Sequence, residues 1–318
     1  MVRGKIRRAS ALLAALGLMA AASAALAAPG EITIKDTGVF PESLTSDAAG
    51  NVFIGSSAKG GIYRAAAGAT EATLWIDPQT SGVAALLGVF ADDKSNTLYA
   101  CSVAFGAPPE KADSLSNLRT FDLKTGVAKR AYPMPGGGKS VCNDIAVGRD
   151  GTTYVAETGG GRILRLKKGA SALEEWIKDP LLAGADGIAI GGDGAVYVNS
   201  VTASRLFRVA VGAGGAAGAI TELTPSLKLD GPDGMRAIGG NRFLLAEGKG
   251  GRISEVVVVG DQAIIAPLKT SDPGVTAVTL TGGKVWFVNA KFDYRRNPAL
   301  KGKDPNPFVA ESISLPGR

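Results

Sequence analysis

Histidine is absent from all 318 residues. A Ser-His-Asp triad, a Cys-His pair and a His-ligated zinc are therefore excluded. Acid–base work must fall to carboxylates, lysine or tyrosine. A bound metal would be held by oxygen, which favours calcium, magnesium or manganese. Cysteine is nearly absent, with only Cys101 and Cys142. Aromatic residues make up 6%, and long helical patterns are scarce. No basic patch stands out, which argues against nucleic acid or a membrane surface as a partner.

One long apolar run exists, from Ala11 to about Leu26. Arg3, Lys5, Arg7 and Arg8 precede it, and Ala25-Leu26-Ala27 supplies a small-x-small cleavage site. Residues 1–27 read as a secretion signal peptide. The alternative, a membrane anchor, would need about 20 apolar residues. The Arg7-Arg8 pair is a weak twin-arginine cue. Removing this segment takes four of the 35 basic residues and none of the 29 acidic ones, so the mature chain carries a net charge of +2. Residues 28–318 are expected to form one exported domain, periplasmic or extracellular, with no membrane contact after cleavage.

Glycine is abundant, at 44 residues, and it punctuates a repeat. Pro41-Glu42-Ser43-Leu44, Leu86-Leu87-Gly88-Val89, Cys142-Asn143-Asp144-Ile145, Ala185-Asp186-Gly187-Ile188, Pro232-Asp233-Gly234-Met235 and Val275-Thr276-Ala277-Val278 each open an apolar strand. They recur every 43 to 56 residues, a period that means a propeller or a solenoid. The reading is an all-β, six-bladed β-propeller with four-stranded antiparallel blades. A strand over Glu31 to Phe40 would close the ring by joining the last blade. Phe105 to Asn117 is an insertion of the kind that covers a site. Gly212 to Ala219 reads as a flexible outer turn. Phe53, Tyr99, Tyr154, Tyr197, Phe243 and Trp286 read as an aromatic layer between blades. Asp150 and Asp193 sit in hairpins and read as structural. The two cysteines fall at one face of neighbouring blades, as a disulfide or as two buried thiols.

Radial repetition brings the second residue of each phrase to one end of the central channel. Glu42, Asn143, Asp186 and Asp233 then converge. Carboxylates so close in a partly dry cavity either take up protons or surround a cation. Singly, these motifs are weak. Asp186-Gly187 and Asp233-Gly234 are also ordinary turn signals.

The order of these phrases resembles the regucalcin/gluconolactonase-type propellers, over about Gly38 to Ala290. That resemblance implies a single divalent cation, calcium first, with Mg2+, Mn2+ or Zn2+ as alternatives. Its ligands would be Glu42, Asn143, Asp186 and Asp233. Asn143 and Asp144 would contact a small-molecule lactone or ester, and Asp233 would double as general base or nucleophile. Two departures matter. Family members often carry Asn where this chain has Asp186. Sugar-lactone members can carry Arg just before Asn-Asp, where this chain has Ser140-Val141-Cys142. The implied function is a secreted, calcium-dependent lactonase or gluconolactonase-like esterase. The alternatives are a non-catalytic binding propeller and a phosphotriesterase-like or strictosidine-synthase-like enzyme. Oligomeric state is left open.

Overall fold

The computed structural model describes residues 1, 30–104, 116–135 and 140–316. The expected signal peptide, after its first residue, and residues 105–115 of the insertion lie outside the described residues. Among those described, no helix is long and apolar enough to cross a membrane.

Six blades surround a channel. From channel to rim, blade 1 comprises Pro41–Ser46, Val52–Ser56, Ile62–Ala65 and Glu71–Ile76. Blade 2 comprises Ala85–Asp92, Thr97–Val103, Asn117–Asp122 and Ala128–Pro133. Blade 3 comprises Cys142–Val147, Thr153–Glu157, Arg162–Leu166 and Glu174–Lys178. Blade 4 comprises Ala185–Ile190, Val196–Ser200, Arg205–Val211 and Ala217–Glu222. Blade 5 comprises Pro232–Gly239, Arg242–Glu247, Arg252–Val259 and Gln262–Thr270. Blade 6 takes Val275–Thr281, Lys284–Asn289 and Val309–Ser314 from the C-terminal end. Its outer strand is Glu31–Ile34, antiparallel to Val309–Ser314. The N-terminal strand thus closes the ring, as expected.

The core is a ring of interfaces. Six buried apolar clusters occur, each shared by two neighbouring blades. The reason is the alternation of side chains in a strand, which gives every inner blade two apolar faces to cover. The six aromatic residues are all buried. Tyr197 of blade 4 meets Phe243 of blade 5 with ring centroids 4.6 Å apart. Cys101 and Cys142 form a disulfide between blades 2 and 3. Asp150 caps its own hairpin through Thr152, and Asp193 accepts from Ala195 N at 3.0 Å and Tyr197 Oη at 2.8 Å.

Three local readings change. The N-terminal strand stops at Ile34 rather than Phe40, because the chain turns there through Gly38 and Phe40, both at positive φ. Gly212 to Ala219 is an ordered element, a 3-10 turn at Ala213–Gly215 leading into the outer strand of blade 4. The turn is fixed because Gly215 O accepts from Trp176 Nε1 at 2.8 Å and from Arg165. The outer strands of blades 2 and 5 had no sequence signal. The blade 2 strand is almost wholly exposed, and in blade 5 the exposed Ile264 lies between buried Ala263 and Ile265, so burial alternates without an alternating sequence.

Candidate functional site

Every phrase sits on an inner strand, and in every blade the strand ladder slips there. In blade 5, Pro232 pairs with Glu247 and Met235 with Leu245, so Asp233 and Gly234 together oppose the single residue Ala246. Such bulges re-aim side chains. Asp186-Gly187 and Asp233-Gly234 are therefore bulges in strands, not turns. The glycines answer a steric demand. A Cβ on Gly187 would lie 2.1 Å from Asp233 O, and one on Gly234 would lie 2.6 Å from Thr276 O. At these two crossings the neighbouring backbone approaches too closely for a side chain. Asn199, fully buried, braces the same crossing by accepting from Gly187 N at 3.2 Å and donating to Asp233 O at 2.6 Å. Sequence reading missed it.

The bulges bring Glu42, Asn143, Asp144, Asp186, Asp233 and Thr276 around one small void of about 10 Å³. That is room for about one water-sized particle. Glu42, Asn143 and Asp186 are each 7% exposed. Asn143 Nδ2 donates to Asp186 Oδ2 at 2.9 Å and to Thr158 Oγ1 at 2.8 Å. Asp233 accepts from Gly234 N at 3.0 Å. Among the described residues no hydrogen bond ends on the Glu42 carboxylate.

Asp233 and Thr276 also border a second, larger cavity of about 830 Å³ between blades 5 and 6. Its walls include Lys249, Phe292, Tyr294 and Arg296. The volume lies in the range of ligand pockets, about 300–1,000 Å³. Asp233 is the one acid of the cluster that is open to it.

Electrostatics follow from this geometry. Burial, reinforced by the charge on Asp144, pushes the Asp186 carboxyl up to about 7. Burial, then repulsion from Asp186 and Asp144, raises Glu42 well above the carboxylate range, with Arg236 opposing. Burial, then Asp186 and Glu42, does the same to Asp233.

Asp144 departs from expectation. Read as a substrate contact, it is 3% exposed and engaged by Arg236. Arg236 Nη1 donates to Asp144 Oδ1 at 3.0 Å and Oδ2 at 2.7 Å, and Ile188 N donates to Oδ2 at 3.2 Å. Little capacity is left for a substrate. Arg236 itself was not anticipated. The available signal is a lone charge in the apolar run Met235-Arg236-Ala237-Ile238.

Two further buried acids escaped the sequence reading. Glu157 and Glu247 are 0% exposed and end the second strands of blades 3 and 5. Glu157 accepts from Val141 N, Gly160 N and Arg162 Nε. Glu247 accepts from Asp230 N and from Arg252 Nε and Nη2. The repeated Glu-x4-Arg spacing could have revealed both.

The oxygen-only donor set fits a hard divalent ion. Among the described residues, however, no group of three or more acidic or cysteine side chains is arranged to hold one as it stands. The donors are turned toward each other, with Asn143 donating to Asp186 and the Asp186 carboxyl close enough to that of Asp233 to raise its affinity for protons.

No protein-family model matches the chain, and none of the curated proteins does. Solved structures do match. A calcium-binding protein, regucalcin, from Agrobacterium tumefaciens strain C58 aligns with TM-score 0.64 and 17% identity, over 90% of this chain and 95% of that one. A gluconolactonase from Xanthomonas campestris aligns with TM-score 0.62 and 15% identity, over 89% of each chain. Virginiamycin B lyase from Staphylococcus aureus, crystallised with quinupristin, aligns with TM-score 0.60 and 15% identity, over 88% of this chain and 83% of that one. The fold is thus shared with the regucalcin and gluconolactonase structures whose phrases the sequence resembles. It is shared equally with a lyase, so it does not select a reaction.

Proposed function

We propose that the chain is an exported, divalent-cation-dependent hydrolase of lactones or related carboxylic esters, with calcium as the preferred ion. The observation that carries this reading is the cluster of three carboxylates, buried Glu42 and Asp186 and half-buried Asp233, with no ion-paired base of their own among the described residues, beside a ligand-sized cavity. Export is supported by the sequence pattern of residues 1–27 and by the disulfide, which suits an oxidising compartment.

Glu42, Asp186, Asp233 and the amide oxygen of Asn143 would hold the ion, once the Asn143 amide turns its oxygen inward. When bound, the ion would polarise the acyl oxygen of the substrate. Asp233, bordering both cavities, accepts the proton of the attacking water. Thr276 borders the same two cavities, and its buried hydroxyl has no partner among the described residues. It is placed to hydrogen-bond a ligand oxygen. Asp186, in place of a carboxamide, adds a negative charge that strengthens ion binding and weakens the ion as an electrophile.

A non-catalytic propeller is the second reading, favoured by the inward-turned donors. A panel of lactones and aryl esters, assayed with calcium and with chelator, separates the two. Hydrolysis that needs the ion and falls about 100-fold or more in Asp233→Asn is expected. Ion binding with no turnover of any ester would leave the second reading standing.

A further inference from the structure

Arg236 crosses the channel. It belongs to the inner strand of blade 5, yet its guanidinium is bound by blades 2 and 3. Nη2 donates to Val89 O at 2.9 Å in blade 2, and Nη1 grips Asp144 in blade 3. The guanidinium carbon lies 5.7 Å from the ring centre of Phe90. Arg236 and Asp144 side chains are 7% and 5% exposed. No other phrase carries a basic residue at the equivalent place. Thr45, Phe90, Ala146, Ala189 and Thr279 stand there.

Asp144 borders the same 10 Å³ void as the three unpaired acids. Its carboxylate is held out of that void's donor set by Arg236 Nη1, which reaches both carboxylate oxygens, and by Ile188 N. We infer that Arg236 is a positioning residue that sets the charge of the cation site. It withholds Asp144, so the site presents three carboxylates rather than four. It also fills the channel below them, leaving the cavity between blades 5 and 6 as the route to Asp233. The reason for such a device is electrostatic. Calcium affinity rises with the number of charged ligands, and a fourth carboxylate would quench the ion's pull on a substrate oxygen. This inference rests on the cation-binding reading above.

The test is calorimetric titration of intact protein with calcium chloride, comparing wild type, Arg236→Met and the double variant Arg236→Met/Asp144→Asn. Circular dichroism confirms folding. Release of Asp144 should tighten calcium binding in Arg236→Met by about tenfold or more. The double variant has no carboxylate to release and should return to within about threefold of wild type. A purely structural arginine would give weaker binding in the single variant and no recovery in the double. Unchanged or weaker calcium affinity in folded Arg236→Met overturns the inference. If that variant does not fold, the double variant decides alone, because removing both charges of a buried pair is commonly tolerated. A loss above about tenfold there would show that Arg236 shapes the site directly, against the inference. Wild type that binds neither calcium, magnesium nor manganese would instead overturn the cation site itself.

Discussion

Two sets of carboxylates are withdrawn from solvent in this molecule, Glu157 and Glu247 fully and Glu42, Asp186 and Asp233 for the most part, and they behave differently. Glu157 and Glu247, at the ends of second strands, are fully buried, and each faces an arginine five residues on and a backbone N–H. Glu42, Asp186 and Asp233, at the bulges of inner strands, face mainly one another. Burial alone therefore does not mark a site. A buried charge with hydrogen-bonded partners locks neighbouring elements together. A buried charge among like charges needs a proton or a cation. Asp144 stands between the sets, in the second location but with the partner of the first.

Several measurements would break or sharpen that contrast. The largest effect is expected on the paired side. Arg252→Met strands Glu247 without its cation and should cost about 3–5 kcal/mol, since one partner of a buried pair is removed. Chemical denaturation would read the loss, and calcium should not restore it. On the unpaired side, calcium at about 100 times its dissociation constant should add about 2.7 kcal/mol. A thermal melt after chelation and again with calcium, beside Asp233→Asn, measures this. A shift of equal size in the variant would count against Asp233 as a ligand.

The pH dependence has a definite sign. In the unfolded chain these carboxyls ionise near pH 4. In the ion-free native state Asp186 is pushed up to about 7, and Glu42 and Asp233 are raised as well. Between about pH 4 and 7 the native state therefore binds more protons. Its stability should fall as pH rises, by up to about 1.4 kcal/mol per pH unit for each proton. Saturating calcium should flatten that slope, and Asp186→Asn should reduce it. Melting curves from pH 5 to 8 would show both. The smallest effect is expected from Thr276→Val. It removes a buried hydroxyl with no partner among the described residues and should leave ion-free stability unchanged or raise it by up to about 1 kcal/mol, while raising KM for an ester substrate.

Much of this was legible without coordinates. Six phrases at a regular period announced six blades, because strands that alternate in polarity must be stacked to bury their faces. The same period put Glu42, Asn143, Asp186 and Asp233 at one end of a channel, since radial repetition places equivalent residues together. The order of Gly212 to Ala219 was not legible. A low-complexity stretch has no pattern of its own, and here it is anchored by Trp176 and Arg165 of the neighbouring blade. The outer strand of blade 2 was hidden because its exposure removes the alternation that marks a strand, and that of blade 5 because an exposed apolar residue, Ile264, interrupts it.

The sequence by itself determined the architecture, the absence of imidazole chemistry and which acids would meet. Only the tertiary structure decided which of those acids keep their charge compensated. Asp144 and Asp186 sit on equivalent bulges of adjacent blades, yet one is ion-paired and the other is not. The difference is Arg236, 92 residues from Asp144 along the chain. A partner that reaches across a channel belongs to no local pattern, and the strength of its charge depends on how much water the closed ring excludes.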